Sequence, residues 1–372
     1  MNTAYIVETS LVTALGRSLE ETWEGLCAGR SAAGRIERFS TDRLEYHTAA
    51  TISTQDEGHQ NITIQLMRKS LSQLRKIPPD TFVIWTGIKG DVHYIENLAK
   101  GTPGGALYLP KDYREWICRF LGIENRGMEI NAACASSTVG ICLAAHMIER
   151  GEQAGVLVCG ADIVSRFTFT GFAALKALTP TICRPFDVRR DGLILGDGAG
   201  AVLLMNEEKA RSLAYSPLAK VSGWGISNDA THITAPARDG CGLIQAIHSA
   251  LAQAKMRPEN LEAYCAHGTG TIYNDAMELT ALKEIFGEKI LPIFSVKGGI
   301  GHTLGAAGVI EAALSLKALQ EEKVPGTIGL ENPEERAGGR ASPGPQTFAG
   351  RTILKANSGF GGVNAALIFE RI

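Results

Sequence analysis

This chain lacks most of the features that would assign it quickly. Its eight cysteines (Cys27, Cys118, Cys134, Cys142, Cys159, Cys183, Cys241 and Cys265) include no CxxC pair and no regular spacing, so neither a disulfide framework nor a cysteine-rich zinc module is expected. There is no excess of either charge: the formal net charge is −2 over 372 residues, and no charge run is long enough to form a tail. Nucleic acid therefore has no electrostatic reason to bind. The opening MNTAYIVETSLVTALG has no basic start of the kind a secretory signal carries, and the expectation is a cytoplasmic protein with free thiols. Residues Ile130 to Ile148 contain no Asp, Glu, Lys or Arg, enough by length for a membrane helix. They also contain Asn131, Ser136, Ser137, Thr138 and His146, which are costly in lipid, so a buried helix is expected and no membrane span.

What is present is an alternation. TFVIWTG, GVLVCGADIV, GAVLLMNE, LEAYCAHG, LPIFSVKG and AALIFERI read as strands, several of them apolar on both faces. STVGICLAAHMIERG, CGLIQAIHSALAQAK and AAGVIEAALSLKALQEEK read as helices between them, which predicts an α/β protein of layered sheets and helices. Residues 329–346, GLENPEERAGGRASPGPQ, read as an exposed loop. A loose internal repeat runs through the chain. A strand, Cys134 and a helix lead to GDGAGAVLLMNEE in the first part; a strand, SVKGGIGHTLGAAG and a helix lead to SGFGGVNAALIFE in the second. Two similar halves, 1–205 and 206–372, would bring the Cys134 helix and the His302 segment close to a pseudo-twofold axis.

Three segments carry reactive side chains. Cys134 lies in NAACASS, after a strand and before a helix, where unpaired N–H groups and the positive end of the helix dipole favour a thiolate. Taken alone it reads rather as core filler, like Cys142 or Cys159. His267 ends the strand AYCAH and precedes the small hydroxylated run Gly268 to Thr271. Lys297 and His302 lie in KGGIGHTLGAAG, and a helix starting near Thr303 would return Glu311 towards Lys297 as an ion-pair partner. Cys134, His267 and His302 are metal-ligand types, but no close ligand pair accompanies them and no metal is expected. GDGAGA (196–201) matches a dinucleotide fingerprint but precedes a strand instead of opening a helix, the wrong order for cradling a phosphate.

Taken together, NAACASS, RPFDVRRDGLILGDGAGAVLL, HGTGTIYND, SVKGGIGHTLGAAGVIEA and NSGFGGVNAAL resemble the β-ketoacyl-acyl-carrier-protein synthases of the elongating, Cys-His-His type. The resemblance covers most of the chain. It implies a thiolase-like fold, two pseudo-twofold related βα halves in five layers (αβαβα), with no metal and no redox cofactor. It implies Cys134 as the acylated nucleophile, His267 and His302 as the pair serving malonyl decarboxylation, and Lys297 with Glu311 as supports. Phe360 falls where a backbone N–H joins that of Cys134 in an oxyanion hole, and Thr269 and Thr271 fall where threonines meet the pantetheine arm or the malonyl group. The implied partner is an acyl carrier protein; the densest basic stretch, RKSLSQLRK with Arg68, Lys69, Arg75 and Lys76, reads either as a solvated helix face or as the carrier's docking surface.

Two departures stand out. NSGFGG is one residue shorter than the S-F-G-F-G-G of homodimeric fatty-acid enzymes, and TPTICRPFD is compact where relatives have a longer loop. The shorter motif resembles the ketosynthase subunits of type II polyketide systems. It points to a specialised polyketide-like or aryl-polyene pathway and to a dimer with a chain-length-factor-like homologue, against the alternative of a homodimeric fatty-acid synthase. A non-catalytic chain-length subunit would lack the cysteine that Cys134 supplies. A degradative thiolase would have a second cysteine near its end, whereas the last here is Cys265.

Overall fold

In the computed structural model, which describes residues 2–53, 61–101 and 107–372, ten strands share one hydrogen-bonded sheet. They are β1 (Tyr5–Thr13), β2 (Phe82–Trp85), β3 (Gly127–Glu129), β4 (Gly155–Asp162), β5 (Gly198–Met205), β6 (Ala219–Asn228), β7 (Ala263–Cys265), β8 (Ile293–Phe294), β9 (Thr352–Ser358) and β10 (Val363–Glu370). Across the sheet they run β3-β2-β4-β5-β1 and then β6-β10-β9-β7-β8. Read outward from the middle, the second five repeat the first. Their pairings repeat too: β1–β5 and β5–β4 are antiparallel, β4–β2 and β2–β3 parallel, and β6–β10, β10–β9, β9–β7 and β7–β8 follow the same sequence. Within this sheet the halves meet where Tyr5 and Ile6 pair with Lys220 and Ala219. The loose repeat in the sequence is thus a full topological duplication.

Helices fill three layers around these strands. α1 (Ile62–Leu71) and α2 (Pro110–Leu121) cover the outer face of the first half; α4 (Cys241–Ala254) and α5 (Ile272–Phe286) cover that of the second. α3 (Ser136–Glu149) and α6 (Ala307–Glu321) lie between the halves, packed on each other and touching strands of both. β4 and β5 are buried along their whole length, as their unbroken apolar runs require of strands covered on both faces. α3 and α6 are buried nearly all round, which explains their weak amphipathic pattern.

The two central helices start in the same way. Ala133 (φ 49°) opens a 3₁₀ turn, Ala133–Ala135, that leads into α3; Leu304 (φ 53°) opens the turn Leu304–Ala306 that leads into α6. These first turns meet so closely that a Cβ on Gly308 would fall 2.4 Å from the Thr138 nitrogen. Replacing Gly308 by alanine would force the helices apart. This crossing brings Cys134 and His302, far apart in the chain, to one place.

Residues 329–346 form the loop expected, mostly exposed but anchored at four buried residues. Leu330, Ala337, Arg340 and Ala341 are buried, and the carbonyl of Arg340 accepts from Ile293 N–H of β8 (3.0 Å). The segment seals that end of the sheet. Its Pro, Gly and charge content marked a loop correctly but carried no sign of what the loop covers.

Candidate active site

The Cys134 turn is held by its own neighbours. Asn131 Oδ1 accepts from Ala133 N–H (3.2 Å), and Ser136 Oγ accepts from Ala132 N–H (2.9 Å) while donating to the Ala133 carbonyl (2.6 Å). Asn131 and Ser136 of NAACASS therefore serve the turn, and Cys134 is what it presents. Cys134 is 5% exposed at the inner end of a cavity of about 380 Å³. Burial works against the electrostatic expectation for it. Burial, only partly offset by Lys297, pushes the thiol up to about 11, so the resting group is protonated despite its place at a helix start.

His267 follows β7, and His302 pairs its backbone with the 194–196 segment, donating to Ile194 O (2.7 Å) and accepting from Gly196 N–H (3.0 Å). The two imidazoles meet edge to face with centroids 5.3 Å apart. Cys134 Sγ and a nitrogen of each ring all lie within 4.8 Å of one another. Burial, reinforced by Lys297, holds both histidines well below their ordinary pKa, and both are neutral at pH 7. Neither ring nitrogen of His302 has a hydrogen-bond partner among the described residues, so both are available to a ligand.

Lys297 donates to the His267 carbonyl (2.5 Å) and to Glu311 Oε1 (2.5 Å), the ion pair expected from spacing, and all three residues are buried. Burial acts to raise the Glu311 carboxyl, but Lys297 and Lys355 together outweigh it and hold it below its ordinary value. Phe360 stacks on Phe172 (5.6 Å), and its backbone N–H reaches the Cys134 sulfur. That approach requires Gly359, where a Cβ would stand 2.7 Å from the Ala132 carbonyl oxygen. The hydroxyls of Thr269 and Thr271 are 2.9 Å apart, and both residues line the cavity between Cys134 and a mouth bordered by exposed Ile233 and Tyr273.

Other groups in the site had no signal that sequence reasoning used. Glu278, on α5, accepts from the N–H groups of His267 and Gly268 (both 2.7 Å) and from Tyr264 OH (2.6 Å). Asp275, one turn earlier, accepts from Thr269 N–H (2.9 Å) and Phe186 N–H (2.8 Å). The loop after His267 is thus pinned by two buried carboxylates. Their spacing, an acidic residue three positions before another just after HGTGT, was the available clue. Lys355, Asn357 and Thr138 also converge on Glu311 and His267 from the far side.

Arg68, Lys69, Arg75 and Lys76 lie elsewhere. The first two are exposed in the last turn of α1; Arg75 stacks on Tyr215 (3.8 Å to the ring), and Lys76 accepts from the Tyr215 hydroxyl through its carbonyl (3.4 Å). None lines the cavity, whose charged lining is Lys176, Asp191 and Asp229.

By residue type, Cys134, His267 and His302 are a possible ligand set for zinc. The surroundings of His267 do not suit one. Zinc-bound histidines turn their second nitrogen to an acceptor, whereas His267 Nδ1 faces the amide nitrogen of Asn357, a donor, at 2.9 Å. Among the described residues no helix is long and apolar enough to cross a membrane.

Comparison with known proteins agrees with this geometry. Residues 116–210 match the N-terminal domain of β-ketoacyl synthases and residues 218–331 the C-terminal domain. The chain is 30% identical to 3-oxoacyl-acyl-carrier-protein synthase 2 of Vibrio cholerae over 97% of both proteins, and 28% identical to the Staphylococcus aureus (strain COL) protein of that name over 96% of this chain and 95% of the other. Among solved structures it resembles the ishigamide ketosynthase/chain length factor (TM-score 0.90, 29% identity, 100% of this chain and 99% of that one). It also resembles a Xenorhabdus doucetiae ketosynthase solved in complex with its chain length factor (TM-score 0.83, 26% identity, 100% and 98%). The duplicated thiolase-like fold, the buried cysteine with two neutral histidines and the match over both domains lead to one conclusion: the chain belongs to the β-ketoacyl synthase family.

Proposed function

We propose that this protein extends a carrier-bound acyl chain by two carbons, through decarboxylative condensation of a malonyl carrier thioester with an acyl group held on Cys134. One observation carries the reading: a thiol and two neutral imidazoles within 4.8 Å at the inner end of a single cavity. In the loading step the sulfur attacks the acyl thioester, the carrier thiol leaves, and the sulfur's proton ends on that leaving group. The N–H groups of Cys134 and Phe360 stabilise the tetrahedral oxyanion. The malonyl thioester then enters and loses carbon dioxide, and the electron pair of the broken C–C bond moves into the thioester as an enolate. Its oxygen accepts hydrogen bonds from His267 and His302, which are most effective in a dry pocket. The enolate carbon attacks the acyl carbonyl, the C–S bond to Cys134 breaks, and the sulfur leaves as a thiolate that takes a proton from water.

Neutral histidines suit this role better than charged ones, because they stabilise the enolate without protonating its carbon. No step calls on a resident metal or cofactor. The substrates arrive on the phosphopantetheine arm of an acyl carrier protein, and Thr269 and Thr271 lie where that arm would pass. Docking of the carrier is assigned to basic residues, Arg68 and Lys69 on α1 or Lys176 at the cavity mouth.

The working unit is a dimer, with a chain-length-factor-like homologue as partner. Support comes from the two structural relatives described as ketosynthases with chain length factors, and from the short NSGFGG motif. The surface adds to it: edge strand β3 has Met128 exposed, and Ile95, Leu98 and Phe167 are exposed on two helical segments, Val92–Ala99 and Arg166–Ala174, that pack on each other. Intact-mass analysis tests the reading directly. An acyl-carrier donor should add one acyl group to the wild type and none to Cys134→Ala; loading that persists in the variant refutes it.

A further inference from the structure

Lys355 takes no part in the chemistry above, yet it is fully buried on β9 between Leu354 and Ala356. An isolated buried ammonium costs several kcal/mol, so its surroundings must account for it. Each of its three protons has an acceptor: Glu311 Oε2 (3.2 Å), Thr138 Oγ1 (2.5 Å) and Asn357 Oδ1. Thr138, accepting from the lysine, gives its own proton to Asn357 Oδ1 (2.5 Å). The oxygen end of the Asn357 amide therefore faces Lys355, which can only donate. Its nitrogen end faces Glu311 Oε2 (2.8 Å), which can only accept, and His267 Nδ1 (2.9 Å).

This arrangement leaves one orientation for the amide. Turned over, it would set oxygen against carboxylate and N–H against ammonium. The amide nitrogen thus donates to His267 Nδ1, and in the neutral ring the proton must sit on Nε2. The opposite tautomer would present a lone pair to a developing enolate oxygen, giving repulsion in place of a hydrogen bond.

We propose that Lys355, acting through Thr138 and Asn357, is a positioning residue that fixes His267 as the Nε2–H tautomer and so makes it a hydrogen-bond donor to the substrate. The role rests on the reading of His267 as an enolate-stabilising group. The same cluster also opposes a charged ring, since Lys297 and Lys355 both lie close to His267 and add to the effect of its burial.

The test uses the full chain labelled with ¹⁵N-histidine, in long-range ¹H–¹⁵N correlation spectra at pH 7.5, with His267 assigned by comparison with His267→Ala. The wild type should give the Nε2–H pattern. Asn357→Asp places an acceptor against Nδ1; it should move the proton to Nδ1 and slow malonyl-carrier decarboxylation about a hundredfold, while acyl loading of Cys134 stays within about threefold. Should that variant fail to fold, Lys355→Met keeps the length of the side chain and removes the donor; it should give a mixture of tautomers and an intermediate loss of decarboxylation. An Nδ1–H ring in the wild type, or an unchanged Nε2–H ring in the variants that do fold, overturns the proposal. A wild type with the Nε2–H pattern that loads acyl groups but never decarboxylates malonyl carrier overturns instead the function assigned to His267.

Discussion

Lys297 grips His267 by its backbone, donating to the carbonyl at 2.5 Å, and not by its ring. With Glu311 on its other side, it ties the loop after β7 to helix α6 and so fixes the spacing between the two histidines. Lys297→Met leaves that carbonyl unpaired and weakens the compensation of a buried carboxylate. We expect a loss of about 3 kcal/mol in stability by chemical denaturation, with Lys355 left as the sole cation on Glu311. Decarboxylation should fall more than acyl loading. A variant of wild-type stability and rate would show that the tie does not matter.

The raised thiol of Cys134 predicts a pH profile. Below a pKa of about 11 the thiolate fraction grows about tenfold per pH unit. Alkylation of Cys134 by iodoacetamide, followed by mass, should therefore keep accelerating from pH 7 to pH 10. A plateau near pH 8 would mean that the helix start outweighs burial after all.

The histidines predict a profile of the opposite kind. Burial and Lys297 keep both rings neutral well below their usual range, so the ¹⁵N signals of both imidazoles should stay those of neutral rings from pH 8 to pH 6, even though burial pushes the Glu278 carboxyl beside His267 up to about 7. Removing either imidazole, in His267→Ala or His302→Ala, should cost about a hundredfold or more in decarboxylation and much less in acyl loading. Variants that lose loading and keep decarboxylation would reverse the assigned roles.

Carrier docking can be located by charge. Reversal at Arg68 and Lys69 should raise the apparent KM for carrier substrates severalfold, about 1 kcal/mol, without changing that for small thioester mimics. If only Lys176→Glu has this effect, the docking surface is the cavity mouth and not α1.

The alternation of strands and helices, and the repeat, were legible because burial on both faces writes unbroken apolar runs such as GVLVCGADIV. Cys134, His267 and His302 were legible through the motifs around them, and the Lys297–Glu311 pair through helical spacing. The carboxylates of Asp275 and Glu278, and the Lys355–Thr138–Asn357 cluster, were not. Asp275 and Glu278 act on the loop just before them, and only their spacing hinted at it; the cluster is made across the pseudo-twofold crossing, between residues as far apart as Thr138 and Asn357, and no local period records that. The burial that opposes a thiolate at Cys134 was hidden for a related reason: helix position is visible in a sequence, whereas depth of burial is set by what the rest of the chain places on top.

Duplication also fixes how many neighbours this molecule can accept. A repeated open sheet has two ends, and two free ends would allow chain after chain to add in a line. Here the β8 end is closed from within by the 329–346 segment, while no strand lies beyond β3 among the described residues. Among the described residues one edge of the sheet stays open. The pair proposed above, if joined edge to edge, would use both open strands, so such an assembly would stop at two and could not grow into a filament.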